Sequence, residues 1–381
     1  MKLNLTLLVA ISAVIICVIP SIGAFSIGNF FDSKDDTAIT IKVAVYDSQI
    51  FKSPKLIKKA LDDYNWTAGD KIYTFKATYI SDKEILGFGK NPLNNENFDL
   101  LIIGAESRQF LINQRFLLSH DRDYLNFTSR KWIRNIRDFV ANGGGYIGIC
   151  GGANIASQGS VVYPDHASVW DKLSLRVEHL GLANVYINNQ HWEEWQYAWK
   201  IAMGKRGTYV GVPLNISINK DHPIYSNYDS EDRNILWFAG PGLYDANVEN
   251  DKLGEVVPLS YYLEEPMDLA PLHMWRFTFR GYKPFYDIQT DLKDQYASIA
   301  TVYNNSGRVV LFGPHPEYAT FEGNFNEFRG FTKFGVYDRY VYNWTSVTPS
   351  PDNYNWWILQ RCAAWASHVS DDMLPQVQIP N

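Results

Sequence analysis

Residues able to do covalent chemistry stand in two short segments. In GGGYIGICGGAN, Gly143 to Asn154, a cysteine occupies the centre of Gly148-Ile149-Cys150-Gly151-Gly152. In RVVLFGPHPEY, Arg308 to Tyr318, His315 is followed two residues later by Glu317. A thiol nucleophile needs a base to take its proton, and the base needs a third group to hold its tautomer. A His-x-Glu pair supplies both, and Pro314 and Pro316 stiffen the segment that carries it. A Gly-x-Cys-x-Gly turn between a buried strand and a helix forces its central residue into strained backbone angles. Glycines on either side remove the steric conflict. The thiol is then lifted above the sheet, beside a helix N-terminus whose dipole favours thiolate. The N–H of Gly151 would point at a developing oxyanion. Chemistry of this kind is attack on an acyl carbon, and it needs neither a cofactor nor a metal.

Several elements must position these groups. AITIKVAVYD, Ala38 to Asp47, alternates and is rich in β-branched residues, which predicts a first strand. SPKLIKKALDDYNW predicts a helix, with Ser53 as its cap and Pro54 in its first turn. KIYTFKATYI, Lys71 to Ile80, predicts a second strand. FDLLIIGA, Phe98 to Ala105, is a continuous apolar run, the mark of a strand buried on both faces. Trp132, Ile133, Ile136, Phe139 and Val140 recur at helical spacing, and Gly143 to Gly145 end that helix. YIGIC is a short strand that stops at Cys150, and ANIASQG restarts as a helix. This order is the grammar of a doubly wound, mostly parallel sheet of the α/β class. Further on, Ile235 to Asp245 reads as a strand and turn. Ala297 to Tyr318 reads as a hairpin about Asn-Asn-Ser-Gly, its second strand running into His315. PDNYNWWILQRCAAWASHV predicts a C-terminal helix capped by Asp352 or Asn353, with Trp357, Ile358, Cys362 and Trp365 on one apolar stripe. Cys362 is read as core.

The elbow at Cys150 with a downstream His315-Pro316-Glu317 resembles the Cys-His-Glu triad of class I glutamine amidotransferases. More narrowly, the two segments together look like the amidotransferase-like domain at the N-terminus of eukaryotic biotin–protein ligases, a family that also occurs as stand-alone proteins. The likeness covers roughly residues 40–160, 230–245 and 295–370. It implies a flavodoxin-like sandwich, with Cys150 as nucleophile, His315 as base and Glu317 as its orienter. It also implies a second oxyanion donor just after the third strand. There the family usually carries Gly-Gly, and this chain has Gly104-Ala105-Glu106, so the donor falls to the N–H of Ala105. The stretch between elbow and histidine is long, which predicts insertions at about 160–230 and 250–290 within one domain, 38–375. No ligase or synthetase domain follows, so neither biotinylation nor ammonia transfer is expected.

The chain has 381 residues, 46% of them hydrophobic and 20% charged, the composition of a globular protein. A net charge of −6 argues against nucleic acid as a partner. Residues 1–24 carry Lys2 and then an uncharged apolar run. They read as a signal peptide or as one N-terminal membrane anchor, followed by a polar linker over 25–37. Either reading puts the body outside the cytoplasm, secreted or anchored. Sequons at Asn65, Asn126, Asn215, Asn304 and Asn343 suit an exported glycoprotein, and chance in an Asn-rich chain also accounts for them. Cys17 lies in the leader, which leaves Cys150 and Cys362; a bridge between them would remove the nucleophile.

The insertions are aromatic. HWEEWQYAWK places Trp192, Trp195 and Trp199 on one helix face, which either packs the insertion onto the domain or offers a stacking platform beside the site. Trp192 and Trp195, with Glu106 and Asp245, are candidate substrate binders. His179, His191, Glu193 and Glu194 do not have the spacing of a zinc site. Two readings follow. One is a cysteine hydrolase acting on an amide of a small molecule or peptide. The other is a catalytically inactive domain that binds a cell-surface glycan or peptide.

Overall fold

The computed structural model describes residues 38–47, 53–62, 64–105, 122–159, 179–188, 210–238, 240–269, 272–287, 290–318, 322–332, 335–346 and 354–377. The leader and linker, Glu106, Trp192, Trp195 and Trp199 lie outside them.

β1 (Ala38–Tyr46) shows how the sequence builds two cores at once. Its side chains alternate between faces. Ile41, Val43 and Val45 enter one core with Ile57 and Leu61 of α1 (Ser53–Leu61). Ala44 and Tyr46 enter the other. The first helix stops at Leu61, short of the expected Trp66. Residues Asn65–Ala68 instead form β2, antiparallel to β3 (Lys71–Ile80) about the turn at Gly69, whose φ is +60°. Aromatic packing decides this: Trp66 stacks on Tyr73 with ring centroids 4.9 Å apart. α2 (Asp82–Ile85) carries a capping box between Ser81 and Glu84.

β4 (Leu100–Ile103) is the all-apolar run, and each of its four residues is fully buried. Burial on this scale contributes about 2 kcal/mol per side chain. α3 (Arg122–Ala141) lays Trp132, Ile133, Ile136, Phe139 and Val140 into the second core, as the spacing predicted. β5 (Gly145–Ile149) leads into α4 (Gly151–Ala156). Beyond it come β6 (Val185–Asn188), β7 (Val210–Ser217), β8 (Asp232–Trp237), β9 (Gly242–Asp245), β10 (Val257–Tyr261) and α5 (Pro266–Leu269). β11 (Leu272–Thr278), β12 (Gly281–Asp287), β13 (Tyr296–Tyr303) and β14 (Gly307–Phe312) follow. β15 (Glu322–Thr332), β16 (Gly335–Ser346) and α6 (Trp356–Ala366) complete the order.

Ten of these strands form one sheet, in which β3, β1, β4, β5 and β14 are adjacent and parallel. Numbered along the chain, those five strands run 2-1-3-4-5, the flavodoxin-like doubly wound order. The fold is therefore α/β, as expected. β2 flanks the parallel core on one side, and β13, β9, β6 and β10 extend it antiparallel on the other. The hairpin of β13 and β14 turns at Asn304 and Asn305, both at positive φ. β6 and β10, from the segments read as insertions, therefore belong to the main sheet.

A second, six-stranded sheet has the order β12-β11-β16-β7-β8, with β15 on β16. The hairpin β15–β16 was not foreseen. Val212, Leu214, Ile216, Ile235 and Trp237 of β7 and β8 enter the first core, on the same side as α1 and α6. The C-terminal helix is preceded by Asn355, not Asp352 or Asn353. Asn355 accepts from Arg233 Nε at 2.9 Å and donates to the Asn234 carbonyl at 3.1 Å, which ties α6 to β8. Trp357, Ile358 and Cys362 of its predicted stripe are wholly buried, and Trp365 nearly so. No helix among the described residues is long and apolar enough to cross a membrane.

Candidate functional site

In a 2-1-3-4-5 sheet the chain leaves β1 and β4 in opposite directions, and ligands bind at the carboxyl ends of the strands near that divide. Ser53 follows β1, Ala105 follows β4, Cys150 ends β5 and His315 follows β14. All four stand at that carboxyl edge.

Cys150 has φ +54° and ψ −104°, a conformation that L residues rarely adopt. Its N–H donates to the Phe312 carbonyl at 2.8 Å, so the last rung of the β5–β14 ladder holds the strained residue in place. The glycines around it are obligatory for space. A Cβ on Gly152 would lie 1.9 Å from the Ile103 carbonyl oxygen, and one on Gly148 would lie 2.6 Å from the Gly152 backbone. Cys150 is partly exposed, and both it and Cys362 are free thiols, so there is no bridge between them. The Gly151 N–H opens α4 with no acceptor among the described residues.

His315 and Glu317 are fully buried. The His315 N–H donates to the Leu236 carbonyl at 2.8 Å, so the end of β8 clamps the histidine loop. Trp356 Nε1 donates to the Glu317 carbonyl at 2.7 Å from the side of α6. The ring of His315 meets Phe238 and Tyr318 edge to face, at 6.1 and 5.5 Å. Its Nδ1 and Glu317 Oε1 are 2.9 Å apart. Burial alone would lower the imidazole's affinity for a proton. The Glu317 carboxylate overrides it and pushes His315 up to about 10, with a smaller upward contribution from Cys150. Nε2 is buried and makes no hydrogen bond of ordinary geometry, although the thiol is near enough to act on the ring. A loose thiol–imidazole contact is usual in an unliganded site and tightens around a substrate. The Sγ itself sits 3.9 Å from the Phe238 carbonyl, a weak contact.

Two further groups complete the cluster. The Ser53 hydroxyl donates to Glu317 Oε1 at 2.6 Å and accepts from the Ala105 N–H at 3.1 Å. Ser53 was read as a helix cap, but its oxygen is turned into the site. Ala105 was read as the second oxyanion donor, but its N–H is given to Ser53. A hydroxyl before a helix looks the same in sequence whether it caps the helix or reaches elsewhere. Glycine at 104 was the one available signal: a Cβ there would lie 2.4 Å from Ser53 Oγ.

The structure thus brings Cys150, Gly151, His315, Glu317 and Ala105 together. Asp245 stands apart. It is exposed on β9, separated from β5 by β14 and β13, or about 14 Å at one strand spacing each. It accepts from the Tyr296 hydroxyl at 3.0 Å. Glu106, Trp192 and Trp195 fall outside the described residues. No group of three or more metal-ligating side chains occurs among the described residues.

No protein-family model matches the chain, and no curated protein matches it. Among solved structures, a thua-like protein from Parabacteroides merdae matches at 11% identity and a TM-score of 0.37, over 89% of this chain and 93% of that one. Similarity at that level carries no residue role and no activity across.

Proposed function

We propose that this chain is a cysteine hydrolase of an amide bond, working through Cys150, His315 and Glu317 in an amidotransferase-like domain. One observation carries the reading. A thiol on a strained, glycine-cleared turn faces an imidazole whose other nitrogen is held by a buried carboxylate 2.9 Å away. In the reaction the thiol proton rests on His315 Nε2, and Sγ, as the thiolate, bonds to the carbonyl carbon. The oxyanion rests on the Gly151 N–H. His315 then gives its proton to the departing amine as the C–N bond breaks. Water attacks the resulting thioester, His315 takes the water's proton, and the acid leaves as Sγ is restored. The narrower likeness to the domain of eukaryotic biotin–protein ligases rests on GGGYIGICGGAN and RVVLFGPHPEY. An extracytoplasmic address, secreted or anchored by residues 1–24, rests on the apolar leader, and glycosylation rests on the sequons.

A second reading is a domain that binds a cell-surface glycan or peptide without catalysis. It is favoured by the Ala105 N–H, which Ser53 engages and which therefore does not serve as a free oxyanion donor.

The deciding experiment is the alkylation rate of Cys150 against pH, with site mapping by mass spectrometry. Cys362 is wholly buried and stays silent in the folded protein. Catalysis predicts fast labelling at or below neutral pH, slowed or displaced by His315→Gln. An ordinary thiol curve with a midpoint of about 8.5 in both proteins refutes it.

A further inference from the structure

Glu317 has two side-chain donors among the described residues, and both reach the same oxygen. His315 Nδ1 is one; Ser53, 264 residues away in sequence, is the other. Oε2 is buried with no hydrogen-bond partner. Ser53 is itself 1% exposed. Ile57 and Leu61, on the helix that Ser53 opens, are anchored in the core. Gly104 supplies the gap into which the hydroxyl fits. Ala105 N–H, Ser53 O–H, the Glu317 carboxylate and His315 Nδ1–H therefore form one continuous hydrogen-bonded chain.

We infer that Ser53 is a positioning residue, whose hydroxyl holds the Glu317 carboxylate aimed at His315, with the Ala105 N–H as the outer donor that polarises it. The inference rests on the proposed triad and adds a member to it. The physics is a competition. A buried carboxylate takes up a proton unless hydrogen bonds favour its charge. A carboxylate turned away from the ring no longer holds an imidazolium. The Ser53 hydroxyl supplies such a bond to Glu317 Oε1 at 2.6 Å, and each bond in such a chain strengthens the next. The backbone donor after β4, which the resemblance assigns to the oxyanion, here goes to the Ser53 hydroxyl.

The test is the alkylation–pH profile of Cys150 in the wild type, Ser53→Ala, Glu317→Gln, the double variant and His315→Gln. Each protein is first checked for cooperative thermal unfolding. Ser53→Ala is expected to slow labelling at neutral pH about tenfold, the worth of one charge-assisted hydrogen bond, and to move the acid limb upward. In the Glu317→Gln background the same change should have no further effect. If His315→Gln displaces the profile and Ser53→Ala does not, the inference is overturned and the triad stands. An equal Ser53→Ala effect with and without the Glu317 carboxylate also overturns it, because Ser53 would then act through some other group. If His315→Gln leaves the profile unchanged, the triad reading fails and the inference fails with it. Should Ser53→Ala not fold, Ser53→Cys keeps the size with a weaker donor, and an unaltered profile there overturns the inference equally.

Discussion

Cys150 ends a strand at positive φ and is partly open to solvent, whereas Cys362 lies inside a regular helix with no exposure at all. Around Cys150 stand an imidazole, a carbonyl and the first N–H of a short helix. Around Cys362 stand apolar side chains of the larger core, and burial pushes its thiol well above the ordinary range, with Arg361 opposing only in part. The same side chain is thus a candidate nucleophile in one place and packing material in the other. Backbone geometry makes the difference. A turn that lifts a residue off the end of a strand exposes it, while the inward face of a helix hides it.

The sharpest way to break this comparison is to exchange the outcomes. Cys150→Ser is expected to abolish labelling of the folded protein and to lower amide hydrolysis on the order of 10³-fold or more. Two reactive thiols in the native body, read by mass spectrometry, would remove the contrast. Gly152→Ala attacks the turn itself. Its Cβ would meet the backbone at Ile103, which has no side-chain freedom to yield, so a loss of about 3 kcal/mol is expected in urea unfolding.

The charged partner of Cys150 gives a pH signature that Cys362 lacks. The folded chain holds a proton on His315 that the unfolded chain releases near 6.5. The stability this adds is fully present below that value and is lost as pH rises toward about 10. The advantage of the wild type over His315→Gln in urea unfolding should therefore shrink across that window. A constant difference would mean that the buried pair is not charged. Cys362→Ala should cost about 1 kcal/mol for the lost contacts and leave the alkylation profile of Cys150 unaltered. The smallest effect is expected for Asp245→Asn. This exposed carboxylate, bonded to Tyr296 and on a strand separated from β5 by β14 and β13, should leave the labelling rate within error.

Much of the parallel core was legible because its signals are local. Leu100 to Ile103 read as a doubly buried strand and is one. The helical spacing from Trp132 to Val140 and the Asn-Asn turn before β14 also read directly. Failures came where a distant partner decided. Trp66 left the helical pattern because Tyr73 and Phe75 offered a stack. Within β15 the aromatics Phe325, Phe328 and Phe331 recur every third residue, which is no strand pattern, and the pairing of β16 with β11 and β7 joins segments far apart in the chain.

The candidate site divides the same way. The turn at Cys150 was written in the sequence, because only glycine on both sides allows it. His315 and Glu317 were written there too, because one residue separates them and a strand precedes them. Only the tertiary structure decided that Ser53 faces Glu317 instead of capping its helix, and that the Ala105 N–H goes to Ser53. Only it decided that Cys150 is open to solvent, whereas the helical stripe had already placed Cys362 in the core. Spacing governs contacts within a turn or two of chain. A hydrogen bond spanning 264 residues depends on how β1, β4 and β14 line up across the sheet, and no local pattern encodes that.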